Sequence, residues 1–343
     1  FKMDMTLNKT GLDQLNALWA QGREFLGTDY AILGGAMTWV SERNLVSAIS
    51  NAGGFGVIAC GSMTPDLLRA EIQATKAMTD KPVGVNLITL HPDLKALVQV
   101  VLDEKISHVV LAGGLPPGWA IEAIKAGGAK LMCFAPALAL AKKLVRSGVD
   151  ALIIEGSEAG GHVGPVSTSV LAQEILPQVR DVPIFIAGGI GRGEAVVSYL
   201  QMGAQGVQLG TRFVCAEESI AHEKFKKAFI RASAREAIAS VQIDPRFPVI
   251  PVRALKNQGT EDFTNLQREV GGAYHKGALS QEEAQLKIEH FWAGALRRAV
   301  VDGDVETGSL MAGQSVGMVK SIRPTAEIIE NLVMQAAQFL EGE

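Results

Sequence analysis
Eight times between residues 30 and 211 the chain repeats one unit: a short apolar run, a glycine-containing turn, then a longer amphipathic stretch. The runs are YAILGG (30–35), GFGVIAC (54–60), PVGVNLIT (82–89), HVVLAGG (108–114), AKLMCFA (129–135), DALIIEG (150–156), PIFIAGG (183–189) and GVQLGT (206–211). Continuous apolar runs bounded by Gly and Pro fit strands buried on both faces rather than on one. The stretches between them, such as LVSAISNAG and AVVSYLQMG, supply right-handed crossovers between parallel strands. Eight such units predict an α/β fold, a (β/α)8 TIM barrel. A doubly wound open sheet also alternates strands with helices, but it seldom needs eight units so evenly spaced.

The flanks differ in texture from the repeats. Leu12, Leu15, Leu18, Trp19 and Phe25 recur at helical spacing and predict an amphipathic helix that caps one barrel end. Residues 1–216 are thus assigned to the barrel with its capping helix. Residues 217–302 are more charged and mostly helical, with one irregular patch, IDPRFPVIPVRALKNQGT, and read as an inserted lid or small helical subdomain after the eighth strand. Residues 303–343 return through the glycine-rich GDVETGSLMAGQSVGMV to a last amphipathic helix from Pro324 to Phe339.

Apolar residues make up 48% of the 343 and charged residues 20%, enough for a large core and too apolar for disorder. A net charge of -4 argues against nucleic acid or an anionic membrane surface as partner and favours small molecules. Cys60, Cys133 and Cys215 lie far apart inside apolar segments, as reduced structural thiols would. The opening FKMDMTLNKT has no charged region followed by an apolar one, and no run is long enough to span a bilayer, so the expected location is the cytoplasm.

In a barrel of this kind function collects at the C-terminal ends of the strands, and a phosphate often sits on the loops after the seventh and eighth. Two glycine signals occur there: Gly188 and Gly189 in AGGIGRGEA, and Gly210 with Thr211 in LGTRF. Glycine lets anionic oxygens approach bare backbone amides, so together the two motifs predict a phosphate-bearing ligand. His162, in EGSEAGGHVGP, follows the sixth strand and falls at the same face. Imidazole is the side chain best suited to proton transfer near neutral pH, and Gly160, Gly161 and Gly164 are expected to leave room for a flat ligand. Glu155 is placed to orient a ring or bind a ligand hydroxyl, and Glu158 is expected to be solvated. His91, His108, His222, His275 and His290 show no paired spacing, so no metal site is expected. Neither a GxSxG elbow nor a Walker sequence is present.

YAILGGAMTWVS, NAGGFGVI, DKPVGVNLITL, EGSEAGGHVG, IAGGIGRG, VQLGTRFV and GSLMAGQ occur in order, and as a set they resemble the flavin barrel family of nitronate monooxygenases and enoyl-acyl-carrier-protein reductase II. The resemblance runs from about Tyr30 to the last helix, and VRALKNQGTEDF with GSLMAGQSVG looks more like the reductase branch. It implies FMN, with the phosphate on Gly188, Gly189, Gly210 and Thr211 and the ring against Gly35, Ala36 and Met37. Asn86, Glu155, Gly161, Gln208 and Gln314 are further cofactor candidates. Relatives read GGM where this chain reads GGAM, so the Ala36 methyl narrows or shifts the ring's seat.

His162 matches the family histidine beside the flavin. The implied activity is transfer of reducing equivalents from NAD(P)H, as co-substrate, through FMN to an α,β-unsaturated thioester carried on acyl carrier protein or coenzyme A. The alternative is oxidation of alkyl nitronates with O2. An NAD(P)H:quinone reductase and a non-catalytic flavin-binding barrel are further readings, and a homodimer is compatible with all of them. Trp39 near the mouth is a candidate to stack on substrate or to pack. Lys224, Lys227, Arg231 and Arg235 form one basic helix stripe, either a solvated face or a dock for an acidic carrier or for phosphates.

Overall fold
A computed structural model describes residues 9–342; the opening segment on which the leader reading rests lies outside them. The eight apolar runs all become parallel strands: β1 (Ile32–Gly34), β2 (Gly56–Ala59), β3 (Val83–Ile88), β4 (His108–Ala112), β5 (Lys130–Phe134), β6 (Ala151–Glu155), and then, beyond a two-residue strand β7 (Gly161–His162), β8 (Ile184–Ala187) and β9 (Gly206–Leu209). Their order is β1-β9-β8-β6-β5-β4-β3-β2, and a parallel bridge between Leu33 and Phe55 joins β1 to β2 and closes the sheet. The protein is a (β/α)8 barrel.

Strand residues from Ile32 to Leu209 merge with the inner faces of the surrounding helices into one apolar core. At the barrel floor, two short helices, Lys9–Leu18 and Ala20–Leu26, replace the single expected helix and break at the fully buried Trp19. Phe25 from this cap packs edge-on against His108, the first residue of β4. The final helix, Thr325–Glu341, packs against the first helix, and Glu218 closes its start by accepting hydrogen bonds from the Thr325 N–H at 2.9 Å and its hydroxyl at 2.7 Å.

Residues 217–302 hold four α-helices, Glu223–Arg231, Gln258–His275, Gln281–His290 and Ala295–Val300. They also hold two strands that their sequence gives no sign of, β10 (Ala237–Ala239) and β11 (Val252–Leu255), the latter inside the stretch read as irregular. Phe247, Phe263, Val270, Ala284 and Ile288 form a separate small core. By contrast, Phe225 and Phe229 of the first of these helices belong to the barrel's core. The independent unit is therefore narrower than 217–302. No helix among the described residues is long and apolar enough to cross a membrane.

Candidate functional site
The C-terminal ends of β1, β3, β6, β8 and β9 surround the barrel mouth, and most of the expected site residues stand on them. The loop after β1 is shaped by Ser41, whose hydroxyl accepts from the Met37 N–H and donates to the Gly35 carbonyl, both at 2.9 Å. Gly35 N–H donates to Leu209 O at 2.8 Å, which draws the start of this loop onto β9. A β-carbon built on Gly35 would lie 3.6 Å from Gln208 Nε2, and one on Gly210 would lie 3.5 Å from Met37 Sδ. Gly35, Met37, Gln208 and Gly210 therefore form one neighbourhood, with Ala36 partly buried beside them.

Asn86 on β3 and Gln208 on β9 are buried, and Glu155 ends β6. Among the described residues, none of these three side chains hydrogen-bonds to the protein, and their polar atoms keep some contact with solvent. Burial pushes the Glu155 carboxyl up to about 8, so it is protonated at neutral pH. The Thr89 hydroxyl, one residue beyond β3, is also buried and unpartnered. A mouth lined with unused donors and acceptors suits a polar planar ligand.

At the other side of the mouth Gly188 and Gly189 take φ of 95° and 74°, which only glycine adopts cheaply. Gly210 precedes the short helix Thr211–Val214, and the Thr211 hydroxyl accepts from Gly313 N–H at 2.9 Å. Gln314 opens a 3-10 turn, and its N–H donates to Glu158 O at 2.9 Å. Both contacts show the return segment lying across the mouth. These glycine turns fit a phosphate, and the unpartnered side chains fit a flavin ring; the residues present are compatible with FMN.

Two expectations for EGSEAGGHVGP are overturned. Glu158 is not a solvated side chain: its Oε2 accepts from the Thr168 N–H at 2.8 Å and hydroxyl at 2.9 Å, capping the helix Thr168–Ile175. Gly160 does not leave room for a ligand, because a β-carbon there would lie 2.6 Å from Gly313 N. Its missing side chain admits the return segment instead. Gly161 has φ of 79° and faces Met311 Sδ, whereas Gly164 is open.

His162 stands on β7 rather than in a free loop, because β11 pairs with it: Val252 lies opposite His162 and Arg253 opposite Gly161. With β10 these make a three-stranded antiparallel sheet. The ring keeps an open side, yet desolvation by the surrounding protein holds its pKa below the ordinary value, so it is neutral near pH 7. Trp39 is 37% exposed with φ of 69°, a strained conformation for an aromatic residue, and Arg297 stands 5.8 Å over its ring.

Lys224, Lys227, Arg231 and Arg235 are all exposed; Lys227 pairs with Glu223, while the intervening Lys226 is buried and donates to Ala216 O. Cys60, Cys133 and Cys215 are free and buried. Among the described residues no three His, Cys, Asp or Glu side chains are grouped to hold a metal. Ser41, Thr89 and Arg253 were not foreseen as site residues. No local pattern in the sequence marks any of the three.

This geometry defines a (β/α)8 barrel with a polar mouth. A profile of the nitronate monooxygenase family matches residues 21–97 and 94–335, and the chain belongs to that family, whose members are flavin-dependent oxidoreductases. FabK from Thermotoga maritima is similar at 35% identity and a TM-score of 0.85, covering 93% of this chain and 96% of that one. A Mycobacterium tuberculosis (3aS,4S,5R,7aS)-5-hydroxy-7a-methyl-1-oxo-octahydro-1H-indene-4-carboxyl-CoA dehydrogenase is 30% identical over 93% of this chain and 96% of its own length. A nitronate monooxygenase from Paraburkholderia phytofirmans is 29% identical over 92% and 94%.

Proposed function
We propose that the protein is an FMN-dependent, NAD(P)H-using reductase of α,β-unsaturated thioesters, of the enoyl-acyl-carrier-protein reductase II type. The observation that carries this reading is the full-length likeness to FabK, at 35% identity and a TM-score of 0.85. A carboxyl-CoA dehydrogenase among the relatives supports a thioester substrate, carried on acyl carrier protein or coenzyme A. A nitronate monooxygenase activity is the second reading, favoured by the 29% identity to the Paraburkholderia enzyme.

FMN, when bound, supplies two-electron transfer between nicotinamide and substrate. The chain's own residues supply position and proton control. Gly188, Gly189, Gly210 and Thr211 would hold the phosphate, and Gly35, Ala36 and Met37 would flank the ring. Asn86, Gln208 and Gln314 have polar groups to offer its edge, and protonated Glu155 is a donor rather than a counter-charge. His162, neutral and open on one side, orients the thioester or passes its ring N–H proton to the α-carbon while the other ring nitrogen takes one up from solvent. The segment after β9 acts as a lid over the second substrate.

Anaerobic stopped-flow mixing tests this. The purified yellow protein should bleach within seconds with NADH or NADPH and recover its colour with crotonyl thioester. Slow bleaching by both nucleotides, with rapid turnover of nitronate in air, would give the assignment to the second reading.

A further inference from the structure
His162 owes its place to a segment nearly a hundred residues away. Its loop leaves β6 at Glu155, and within it the return segment contacts the Glu158 carbonyl while Glu158 itself is committed to capping Thr168. The remainder, from Ser157 to Val163, is gripped by β11. Val163 N–H donates to Pro251 O at 3.0 Å, and Gly161 and His162 pair with Arg253 and Val252.

Arg253 ties this sheet together by both backbone and side chain. Its Nε donates to Ser157 O at 2.8 Å, at the start of the loop, and its Nη1 donates to Ala237 O at 2.5 Å, at the start of β10. Its own carbonyl accepts from Ala312 N–H at 3.3 Å, on the return segment. One half-buried guanidinium thus ties the loop to β10 through the fixed fork that lysine lacks, while the same residue's carbonyl holds the return segment.

We propose that Arg253 is the positioning residue for His162, holding the Ser157–His162 loop so that the imidazole meets the substrate at reacting distance. The proposal rests on His162 acting on substrate, as above. Misplacing a reacting group by about 1 Å costs roughly a hundredfold in rate.

The experiment is a double-variant cycle on the FMN-loaded protein, reading each half-reaction separately. Arg253→Gln should slow oxidation by crotonyl thioester by roughly tenfold to a hundredfold, leave bleaching by NAD(P)H near wild type, and change kcat more than the thioester KM. Arg253→Lys should recover part of the loss, and it carries the cycle if the Gln variant does not hold FMN. Added to His162→Ala, either Arg253 variant should cost less than about threefold more, because residues that act through one group are not additive. Hydrogen exchange in the peptide 156–165 should quicken in the Arg253 variants with or without thioester. Equal losses from Arg253→Gln in both backgrounds, with His162→Ala itself impaired, would overturn the positioning role and leave the functional reading standing. A fully active His162→Ala would also overturn it, because there would be no chemistry at His162 to position, and the reductase reading would stand on the thioester turnover itself.

Discussion

At the floor of the barrel His108 is packed between the rings of Phe25 and Phe55, and both its ring nitrogens are engaged, one with Ser107 Oγ and one with Phe25 O, each at 2.8 Å. Lys130 donates to the same carbonyl, and Arg23 Nε is an unpartnered exception. At the mouth the side chains of Asn86, Gln208 and Glu155 hydrogen-bond to nothing in the protein and keep some solvent contact, while the Thr89 hydroxyl is buried and unpartnered. The same strands carry both sets. The floor groups are spent on one another, whereas the mouth groups are left with hydrogen-bonding capacity to offer a ligand.

The comparison breaks if the floor proves as pH-indifferent as an exposed surface, and this is the largest effect expected. Burial lowers the His108 pKa to about 4 from an ordinary 6.5. Between pH 6.5 and about 4 the unfolded chain takes up a proton that the folded protein refuses. Stability contributed by His108 is therefore full above pH 6.5 and falls as pH drops through that window, by about 3 kcal/mol in all. Urea titrations of wild type and His108→Gln at several pH values should differ in slope across this range and run parallel above it. Parallel curves throughout would mean the ring titrates freely.

A sharper contrast comes from Gly210. Its φ of -116° is ordinary, and an added β-carbon meets only the Met37 side chain, 3.5 Å from Sδ, so Gly210→Ala should fold and report the steric cost of a methyl group beside the phosphate. Gly210→Asp adds a negative charge where the phosphate is proposed, and FMN affinity should fall by about thirtyfold, roughly 2 kcal/mol. Gly188 and Gly189 are poorer places for the test, because at their positive φ any side chain adds strain of its own. Equal FMN affinity of the Ala and Asp variants, by fluorescence titration of the apoprotein, would move the phosphate elsewhere.

The two ends also differed in how far the sequence disclosed them. All eight barrel strands were visible because burial on both faces writes a continuous apolar run, and the glycine turns were visible because positive φ at Gly188 and Gly189 demands glycine. The sheet that holds His162 was not visible. Its strands are two to four residues long, too short for alternation to register, and their pairing joins positions 161–162, 237–239 and 252–255. Glu158 was misread for the same reason: its partner Thr168 is ten residues on, beyond any local pattern. Gly160 looked like space for a ligand because sequence shows that a side chain is missing but not what fills the gap.

The smallest effect concerns Glu155, a half-buried residue whose remaining solvent contact offsets much of the burial penalty, and it asks whether the ligand-free mouth is strained. Burial raises this carboxyl from 4.5 to about 8, with no hydrogen bond or counter-charge to offset it. Below pH 4.5 the folded and unfolded states are both protonated and the group is neutral in the balance. Between 4.5 and about 8 the unfolded chain loses the proton while the folded one keeps it, so the unfolded state gains and stability falls as pH rises. Glu155→Gln removes that penalty and keeps the shape. The apoprotein variant should therefore melt a few degrees above wild type at pH 8 and at the same temperature at pH 4. FMN loading should shrink the difference at pH 8 if a ligand atom accepts the Glu155 proton, and leave it unchanged if the ring lies elsewhere. A variant that melts lower than wild type at pH 8 would show that Glu155 is ionised and paired in solution, and the mouth would then resemble the floor.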